Sequence, residues 1–200
     1  MDLVLASGNA GKLAELELLL APLAVTLTSQ GKLGIEAPPE PHGTFVENAL
    51  VKARHASAHS GRAAIADDSG LAIEALGGAP GVHSARYAGA GATDADNNRK
   101  LIAALADHEQ RSAAFHSVLV FITHPEDPCP TIACGRWAGE IVADAAGDGG
   151  FGYDPHFYVP SERCTAAQLD PARKNLLSHR GKAAAALLQA LSERFPELVT

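Results

Sequence analysis

The strongest constraint on the fold of this 200-residue chain is a pair of adjacent acidic residues, Asp67-Asp68, that follows the apolar run Ala63-Ala64-Ile65. The run is typical of a buried strand, and a carboxylate there needs a metal, a cation or water to offset its lost solvation. If both residues stay extended, their side chains point to opposite faces, so one can bind Mg²⁺ while the other supports a loop or hydroxyl. Ser69-Gly70 is expected to turn the backbone towards a ligand. The alternative is an Asp-rich turn that ends the strand.

A second candidate site lies between the first predicted strand, residues 3–6, and a helix with leucines at helical spacing over residues 13–20. The intervening loop is Ser7-Gly8-Asn9-Ala10-Gly11-Lys12. It brings backbone N–H groups, the positive end of a helix dipole and the Lys12 ammonium to one point, which favours an anion such as phosphate. It is not a Walker A loop, because Leu13 follows Lys12 where Ser or Thr is required. Glycines placed only for packing are the alternative.

A predicted strand at residues 25–28 is followed by a Pro-rich loop that contains Glu40, a possible metal ligand. Thr44 is the expected N-cap of a helix that runs to about Ser60, with Glu47 as its capping-box partner. Asn48 and Lys52 lie on one face of that helix. They either reach a phosphate together or form an exposed polar stripe.

The chain after Gly70 alternates further strands and helices. Strands are expected over residues 71–76, 113–123 and 131–142, the last two as antiparallel partners, with Trp137 as a sheet aromatic. Thr93 is expected to cap a helix that runs to about Ala106. This helix carries no candidate site residue and is expected to be structural.

A glycine-rich loop, residues 147–155, is the second unusual stretch. Its backbone can approach a planar ligand while Phe151 or Tyr153 stacks on the ligand and Asp154 fixes one edge. A plain glycine-rich hairpin is the alternative. Residues 165–195 are expected to be mostly helical, and the donors Lys174, Ser178, His179 and Arg180 fall where one helical segment meets the next.

Composition limits the partners. With 16 Lys and Arg against 23 Asp and Glu, the net charge of −7 disfavours a protein that coats nucleic acid through a broad basic surface. The three cysteines form no C-x-x-C motif, so neither a disulfide framework nor a structural zinc site is indicated. No signal sequence or membrane-length apolar run is present, and a cytoplasmic protein without a membrane partner is expected.

The motifs, taken in order, resemble those of the HAM1-type family of inosine/xanthosine triphosphate pyrophosphatases. They span nearly the whole chain, and their joint order is far more specific than any one of them. The matching stretches are Ser-Gly-Asn-Ala-Gly-Lys at 7–12, Thr-Phe-Val-Glu-Asn-Ala with Lys-Ala at 44–53, Ala-Asp-Asp-Ser-Gly-Leu at 66–71, Gly-Gly-Ala-Pro-Gly with Ser-Ala-Arg-Tyr at 77–87, Gly-Phe-Gly-Tyr-Asp-Pro at 150–155 and Ser-His-Arg-Gly at 178–181.

The resemblance implies an α/β fold in one domain of residues 1–200: an ITPase-like, long curved mixed β-sheet flanked by helices, with two lobes around a nucleotide cleft. It also implies a homodimer. The implied activity is Mg²⁺-dependent hydrolysis of dITP, ITP and XTP between the α and β phosphates, which gives the nucleoside monophosphate and pyrophosphate.

The resemblance also implies residue roles. Glu40 and Asp68 would bind Mg²⁺, with Asp68 as the base that activates water. The predicted substrate-binding residues are Ser7, Gly8, Asn9, Ala10, Gly11, Lys12, Lys52, Ser69, Phe151, Gly152, Tyr153, Asp154, Lys174, His179 and Arg180. Of these, four would hold the triphosphate: Ser7, Asn9, Lys12 and Lys52. Phe151 would stack on the base, and Lys174, His179, Arg180 or loop backbone would donate to O6.

Three rival functions stay open at this point. The nearest is a similarly folded Maf-type pyrophosphatase for modified pyrimidines or 7-methyl-GTP, although the motifs at 150–155 and 178–181 argue against it. A non-catalytic nucleotide sensor is the second, and the metal-binding carboxylates weigh against it. A nucleic-acid processing protein is disfavoured by the acidic balance and by the lack of a basic, aromatic stripe.

Overall fold

Seven β-strands form one sheet in the order β2-β1-β3-β4-β5-β6-β7. The structure is a computed structural model that describes residues 2–198. The strands are β1 (Asp2–Ala6), β2 (Thr26–Ser29), β3 (Ala63–Ile73), β4 (Ser112–Ile122), β5 (Thr131–Ile141), β6 (Phe157–Val159) and β7 (Cys164–Thr165). The helices are α1 (Ala10–Leu19), α2 (Phe45–Ser60), α3 (Asp94–Ala104), α4 (Pro171–Leu177) and α5 (His179–Arg194).

The sheet is mixed, as predicted. β1 pairs in parallel with both β2 and β3, whereas β6 pairs antiparallel with β5 and β7. Parallel neighbours need a crossover, and α1 supplies the one between β1 and β2. The α/β fold class with a mixed sheet and flanking helices is therefore confirmed.

The chain divides into two compact units. Within the described residues, the first unit comprises 2–68, 117–135 and 179–198, and the second comprises Ser69–His116 and Arg136–Ser178. Strands β3, β4 and β5 contribute residues to both. The expected single domain of residues 1–200 stays a prediction.

The core of the first unit has two separate apolar clusters, because successive side chains of its strands alternate between faces. Leu3 and Leu5 of β1 belong to one cluster, with leucines of α1 and α5. Val4 and Ala6 belong to the other, with the alanines of α2. β1 and the start of β3 are covered on both faces in this way, which explains their continuous apolar sequences.

β3 follows the same alternation and does not turn at Ser69-Gly70. Ala63 and Ile65 lie in the α1/α5 cluster, and the alternate residues lie in the α2 cluster. The predicted turn is wrong. Leu71 and Ile73 are fully buried in the core of the second unit, and their burial favours continuation of the strand through Ser69-Gly70. The strand also ends earlier than predicted, since residues 74–76 form a 3₁₀ turn.

The core of the second unit is aromatic. The Phe157 ring lies 4.7 Å from Phe115 and 5.1 Å from Trp137, measured between ring centroids. Trp137 is 3% exposed, which confirms its prediction as a sheet aromatic. Aromatic pairs at these separations contribute about 1 kcal/mol each beyond their buried area.

Helix ends agree well with the sequence signals. The Thr44 side chain accepts from the Glu47 N–H at the start of α2, although the Glu47 carboxylate meets the Thr44 hydroxyl rather than completing a capping box. Thr93 and Asp96 form a full capping box on α3. Pro171 opens α4 behind the cap Asp170, as proline does at a first helical position.

No helix within residues 2–198 is long and apolar enough to cross a membrane. The thiols of Cys129, Cys134 and Cys164 are all free.

Gly135 of β5 lets the start of α5 approach the sheet, and its replacement by Ala should destabilise the first unit. A Cβ at this position would lie 1.9 Å from the His179 carbonyl oxygen and 2.6 Å from the Ala183 nitrogen. Backbone atoms cannot yield as a side chain does, so we expect the free energy of unfolding to fall by about 3 kcal/mol. Urea unfolding measures the change.

Gly31→Ala is the matched control, because a Cβ there meets nothing within 4 Å and no positive φ is involved. It should be neutral or stabilising by up to about 1 kcal/mol. A loss of stability no larger in Gly135→Ala than in this control would show that α5 is not held against the sheet at this glycine.

Candidate active site

The parallel pairing of β1 with β3 brings two of the predicted motifs together. Ala6 is the register partner of Ala66, so the loop that starts at Ser7 leaves the sheet beside Asp67-Asp68. Carboxyl ends of parallel strands are the usual place for ligand sites in α/β proteins. The residues that follow Ala6 and Ala66 carry the polar side chains: Ser7 on one segment and Asp67-Asp68 on the other.

Asp67 lies on the α1/α5 face of the sheet, where it contacts two cations and a hydroxyl group. Its Oδ2 is 3.1 Å from Lys12 Nζ and 3.7 Å from an Arg180 guanidinium nitrogen, and its Oδ1 accepts a 2.7 Å hydrogen bond from the Ser117 hydroxyl. Burial by itself would raise the pKa of Asp67, but the two cations and the hydroxyl outweigh it and hold that pKa well below its usual range. Asp67 is therefore a firmly ionised counter-charge.

Arg180 is shared between two carboxylates of the first unit. Besides Asp67, its guanidinium binds Glu15 of α1. Lys12, on the same helix as Glu15, has its pKa lowered by burial, which the Asp67 charge only partly opposes. Two acidic and two basic side chains thus form a balanced cluster that joins α1, β3 and α5.

Asp68 lies on the opposite face and is less well compensated. Its Oδ1 is 2.7 Å from Lys52 Nζ of α2, and Glu40 Oε1 is 3.1 Å from the same ammonium. Asp68 Oδ2 is buried without a hydrogen-bond partner. Burial raises the pKa of Asp68, and Lys52 only partly opposes this shift. Burial would lower the pKa of Lys52, but the Asp68 and Glu40 charges more than reverse that effect.

Asn48 does not belong to an exposed stripe, contrary to one of the two predictions for it. The residue is 1% exposed, and its amide exchanges two hydrogen bonds with the backbone of His42, at 3.1 and 3.2 Å. It fixes the Pro-rich loop on which Glu40 stands. Lys52, one helical turn later, is also buried.

The glycine loop leads directly into the capped first turn of α1. Asn9 is the N-cap of α1, and its side chain accepts from the Lys12 N–H at 3.0 Å. The N–H groups of Ala10 and Gly11 belong to the first turn of α1, where backbone N–H groups have no carbonyl acceptor within the helix. Gly8, Asn9 and Ala10 are exposed, whereas Ser7 is buried and its hydroxyl accepts from the Asn9 N–H.

In the second unit, Asp154 organises the predicted base-recognition loop. Its Oδ2 accepts from the Phe151 N–H at 3.0 Å and from Lys174 Nζ at 2.7 Å. Lys174 Nζ also lies 5.1 Å from the centroid of the Phe151 ring. Gly150 has φ +73°, and a Cβ there would lie 2.1 Å from Asp154 Oδ2, so only glycine fits.

Three further predicted residues take defined places. The buried Tyr153 hydroxyl donates to the Ser84 carbonyl at 2.8 Å, which ties the loop to the 3₁₀ segment Gly81–Arg86. Burial raises the pKa of Tyr153, so it stays a neutral donor. Ser69 is a partly exposed residue of β3. His179 is the buried first residue of α5, as predicted for the junction with α4.

Within residues 2–198 no three His, Cys, Asp or Glu side chains are grouped to hold a metal ion. Glu40 and Asp68 are two carboxylates on one ammonium. Mg²⁺ commonly takes one or two protein carboxylates and completes its shell with water and phosphate oxygens.

Comparison with known proteins identifies a family match over the part of the chain that contains these residues. A sequence model described as the Ham1 family matches residues 3–190. The chain belongs to the Ham1 family. The match spans both the glycine loop and the junction of α4 with α5.

Individual Ham1 relatives are close. The chain is 56% identical over 196 residues to a protein of Bordetella pertussis named dITP/XTP pyrophosphatase, covering 96% of this chain and 92% of that protein. It is 54% identical over 191 residues to a protein of the same name from Nitrosomonas europaea, with 96% and 94% covered. A solved HAM1 protein from Coxiella burnetii superposes with a TM-score of 0.90 at 50% identity, covering 96% and 99% of the two chains.

Sequence reasoning missed three residues of this Ham1 site. Ser117 is a polar residue within the apolar strand β4, and that interruption was its signal. Glu15 lies three positions after Lys12 on α1, but nothing local links it to Arg180. Gly135 sits inside a strand, where glycine often marks a close backbone approach.

Replacing Asp67 by Asn tests the balanced cluster. The amide can keep the Ser117 hydrogen bond, but Lys12 and Arg180 lose their counter-charge, so the free energy of unfolding at neutral pH should fall by about 3 kcal/mol. Since the pKa of Asp67 is lower in the folded than in the unfolded chain, its contribution is complete above pH ~5 and is lost on further acidification. The difference between parent and variant should therefore shrink below pH ~4, as urea unfolding across this range measures.

Asp68→Asn is the matched control, since it removes the neighbouring charge. Burial disfavours the charged form of Asp68, and Lys52 keeps the Glu40 carboxylate as a partner, so this change should alter the free energy of unfolding by no more than about 1 kcal/mol. Equal destabilisation by the two substitutions would contradict the assignment of a stabilising role to Asp67 alone.

Proposed function

We propose that this chain is a dITP/XTP pyrophosphatase, which hydrolyses dITP, ITP and XTP to the nucleoside monophosphate and pyrophosphate and so removes them from the nucleotide pool. The relatives from Bordetella pertussis and Nitrosomonas europaea carry that name. One observation supports the chemistry above the others. A buried carboxylate, Asp68, has one oxygen on Lys52 and the other without a hydrogen-bond partner, and a second acidic side chain, Glu40, contacts the same lysine.

The donor set of Asp68 and Glu40 suits Mg²⁺. Both carboxylates contact Lys52, and the buried Asp68 Oδ2 lacks the hydrogen bond that such an oxygen normally has. These two residues would hold the ion. When bound, the ion would neutralise phosphate charge and lower the barrier to attack on phosphorus.

The triphosphate is assigned to the glycine loop and two lysines. Backbone N–H groups at the start of α1, together with Lys12 and Lys52, place positive charge where a chain of phosphates requires it. Lys12 is poised for such a ligand, because burial lowers its pKa and an anion would favour its charged form.

Asp68 is assigned as the base, and Asp67 is not. Both Asp67 oxygens already accept contacts, whereas Asp68 Oδ2 has no hydrogen-bond partner and can accept from a water molecule. Asp68 takes a proton from water as the water oxygen bonds to the α-phosphorus. The bond from that phosphorus to the bridging oxygen breaks, and pyrophosphate leaves with the bridging oxygen.

Base selection is assigned to the loop of Phe151 and to the candidate donors Lys174, His179 and Arg180. Hypoxanthine and xanthine present O6 as an acceptor and N1–H as a donor, and adenine reverses both. A donor from Lys174, His179 or Arg180 at O6 would therefore leave adenine mispaired. Gly152 and Tyr153 shape the same loop. Guanine differs from xanthine at position 2 alone, so its rejection requires a close wall or a donor at that edge.

Assembly and location stay predictions. The family resemblance favours a homodimer, which light scattering on the purified protein would test. The sequence favours a cytoplasmic protein that binds neither nucleic acid nor membrane.

Pyrophosphate release from ITP, dITP, XTP, GTP and ATP, with Mg²⁺ and with EDTA, tests the function. Metal-dependent formation of IMP or XMP and pyrophosphate, with little turnover of GTP or ATP, is the expected result. ITP binding without any turnover would instead favour a sensor. Preferential turnover of modified pyrimidines would favour the Maf-type function.

Asp68→Asn should keep the fold and most of the nucleotide affinity while kcat falls by about a thousandfold or more, because the shape is kept and the charge is lost. Steady-state kinetics and ITP binding measure the two effects. Asp107→Asn, a one-charge change at an exposed turn residue, is the control. Parent-like turnover in Asp68→Asn would refute the assignment.

Phe151→Ala should mainly raise KM and reduce discrimination between bases, by roughly tenfold, because a stacked ring contributes about 1–3 kcal/mol. Phe151→Tyr keeps an aromatic ring, so its KM and its discrimination between bases should stay close to those of the parent. Kinetics with ITP and GTP measure the change. A large fall in kcat at constant KM would contradict the stacking role.

A further inference from the structure

We propose that Asp94 and Asn98, at the start of α3, are positioning residues that fix the loop of residues 150–154 and so set base selectivity. The proposal deepens the proposed function and rests on it, because the loop matters for selectivity only if Phe151 stacks on the base. It also revises the sequence-based expectation that α3 is purely structural.

Both backbone polar groups of Gly152 are held by α3. The Gly152 N–H donates to Asp94 Oδ2 at 2.7 Å, and the Asn98 side-chain amide donates to the Gly152 carbonyl at 2.9 Å. The two side chains are four positions apart and thus lie on one face of the helix. A hydrogen bond to a charged acceptor is roughly twice as strong as a neutral one.

Gly152 is the residue where such a clamp has most effect. Its φ of +63° is in the left-handed region, and a Cβ would meet nothing within 4 Å, so backbone conformation rather than space requires glycine. Glycine has more conformational freedom to lose than any other residue, and no strand or helix constrains it here. Side-chain bonds therefore decide where the neighbouring Phe151 ring points.

The helix itself is a rigid base for the clamp. Thr93 and Asp96 cap it, and the buried Asn97 accepts from the Ala88 N–H at 2.8 Å and donates to the Ala85 carbonyl at 3.2 Å. Recognition groups must be held to within about half an ångström to discriminate ligands. Asp94 acts on one peptide of the loop, and Asp154, which binds the Phe151 N–H, acts on the adjacent one.

The orientation of the Asn98 amide destabilises the fold, so stability alone does not explain it. Its Oδ1 is buried without a hydrogen-bond partner, while its Nδ2 is directed to the Gly152 carbonyl. A buried acceptor without a donor is destabilising. The orientation of this amide thus serves the loop.

Asp94→Ala removes the acceptor for the Gly152 N–H, and Asp94→Asn keeps an acceptor while it removes the charge. Thr93→Ala is the control, because it weakens the α3 cap without touching Gly152. Kinetics with ITP and GTP are measured together with hydrogen exchange of residues 150–154 in the unliganded protein and with the binding of IMP and GMP.

We expect Asp94→Ala to raise KM for ITP roughly tenfold, to reduce the preference for ITP over GTP and to speed exchange of the loop, with kcat changed about twofold or less. Asp94→Asn should recover most of these values, and Thr93→Ala should change none of them. Parent-like exchange and selectivity in Asp94→Ala would overturn the proposal. So would the same selectivity loss in Thr93→Ala, because helix stability would then be the cause.

Exchange and monophosphate binding need no turnover. An inactive parent would refute the proposed function, and the effect of Asp94→Ala on exchange and on IMP against GMP binding would still decide the role of Asp94. An active parent with an unaltered Asp94→Ala variant would refute this inference alone.

Discussion

Two consecutive carboxylates in an extended, buried strand must lie on opposite faces of the sheet, and each face must then supply its own cation. Asp67 meets Lys12 and Arg180 on the face covered by α1 and α5, and Asp68 meets Lys52 on the face covered by α2. The positions of three helices around β3 are thus tied to one dipeptide. The same alternation that separates the apolar clusters of the first unit separates its two aspartates.

The two faces are compensated to different degrees, and this difference divides structure from chemistry. The Asp67 cluster balances two acids with two bases, so it stabilises the fold and leaves little basicity. Asp68 shares Lys52 with Glu40, and its second oxygen is buried without a hydrogen-bond partner. Such a buried oxygen lowers the stability of the fold and is useful in a site that binds a cation and activates water.

The second unit must hold an irregular loop in one conformation. Its glycines adopt left-handed conformations that no other residue favours, and the loop lacks the hydrogen-bond ladder of a strand. Side chains from regular elements replace that ladder. Asp94 and Asn98 from α3 bind Gly152, and Lys174 from α4 binds Asp154. An aromatic core beneath the sheet strands gives those elements a firm base.

The sequence by itself determined the order of strands and helices, their caps and the motif residues, because periodicity, Thr44 and Thr93 as caps, and the glycine loop are local signals. It also placed the chain in its family. Only the tertiary structure decided that Ser69-Gly70 continues β3, since that depends on the distant core around Leu71. It likewise paired Arg180 with Glu15, 165 positions away. Ion pairs of this kind depend on which helices pack side by side on the sheet, and local patterns carry no information on that choice.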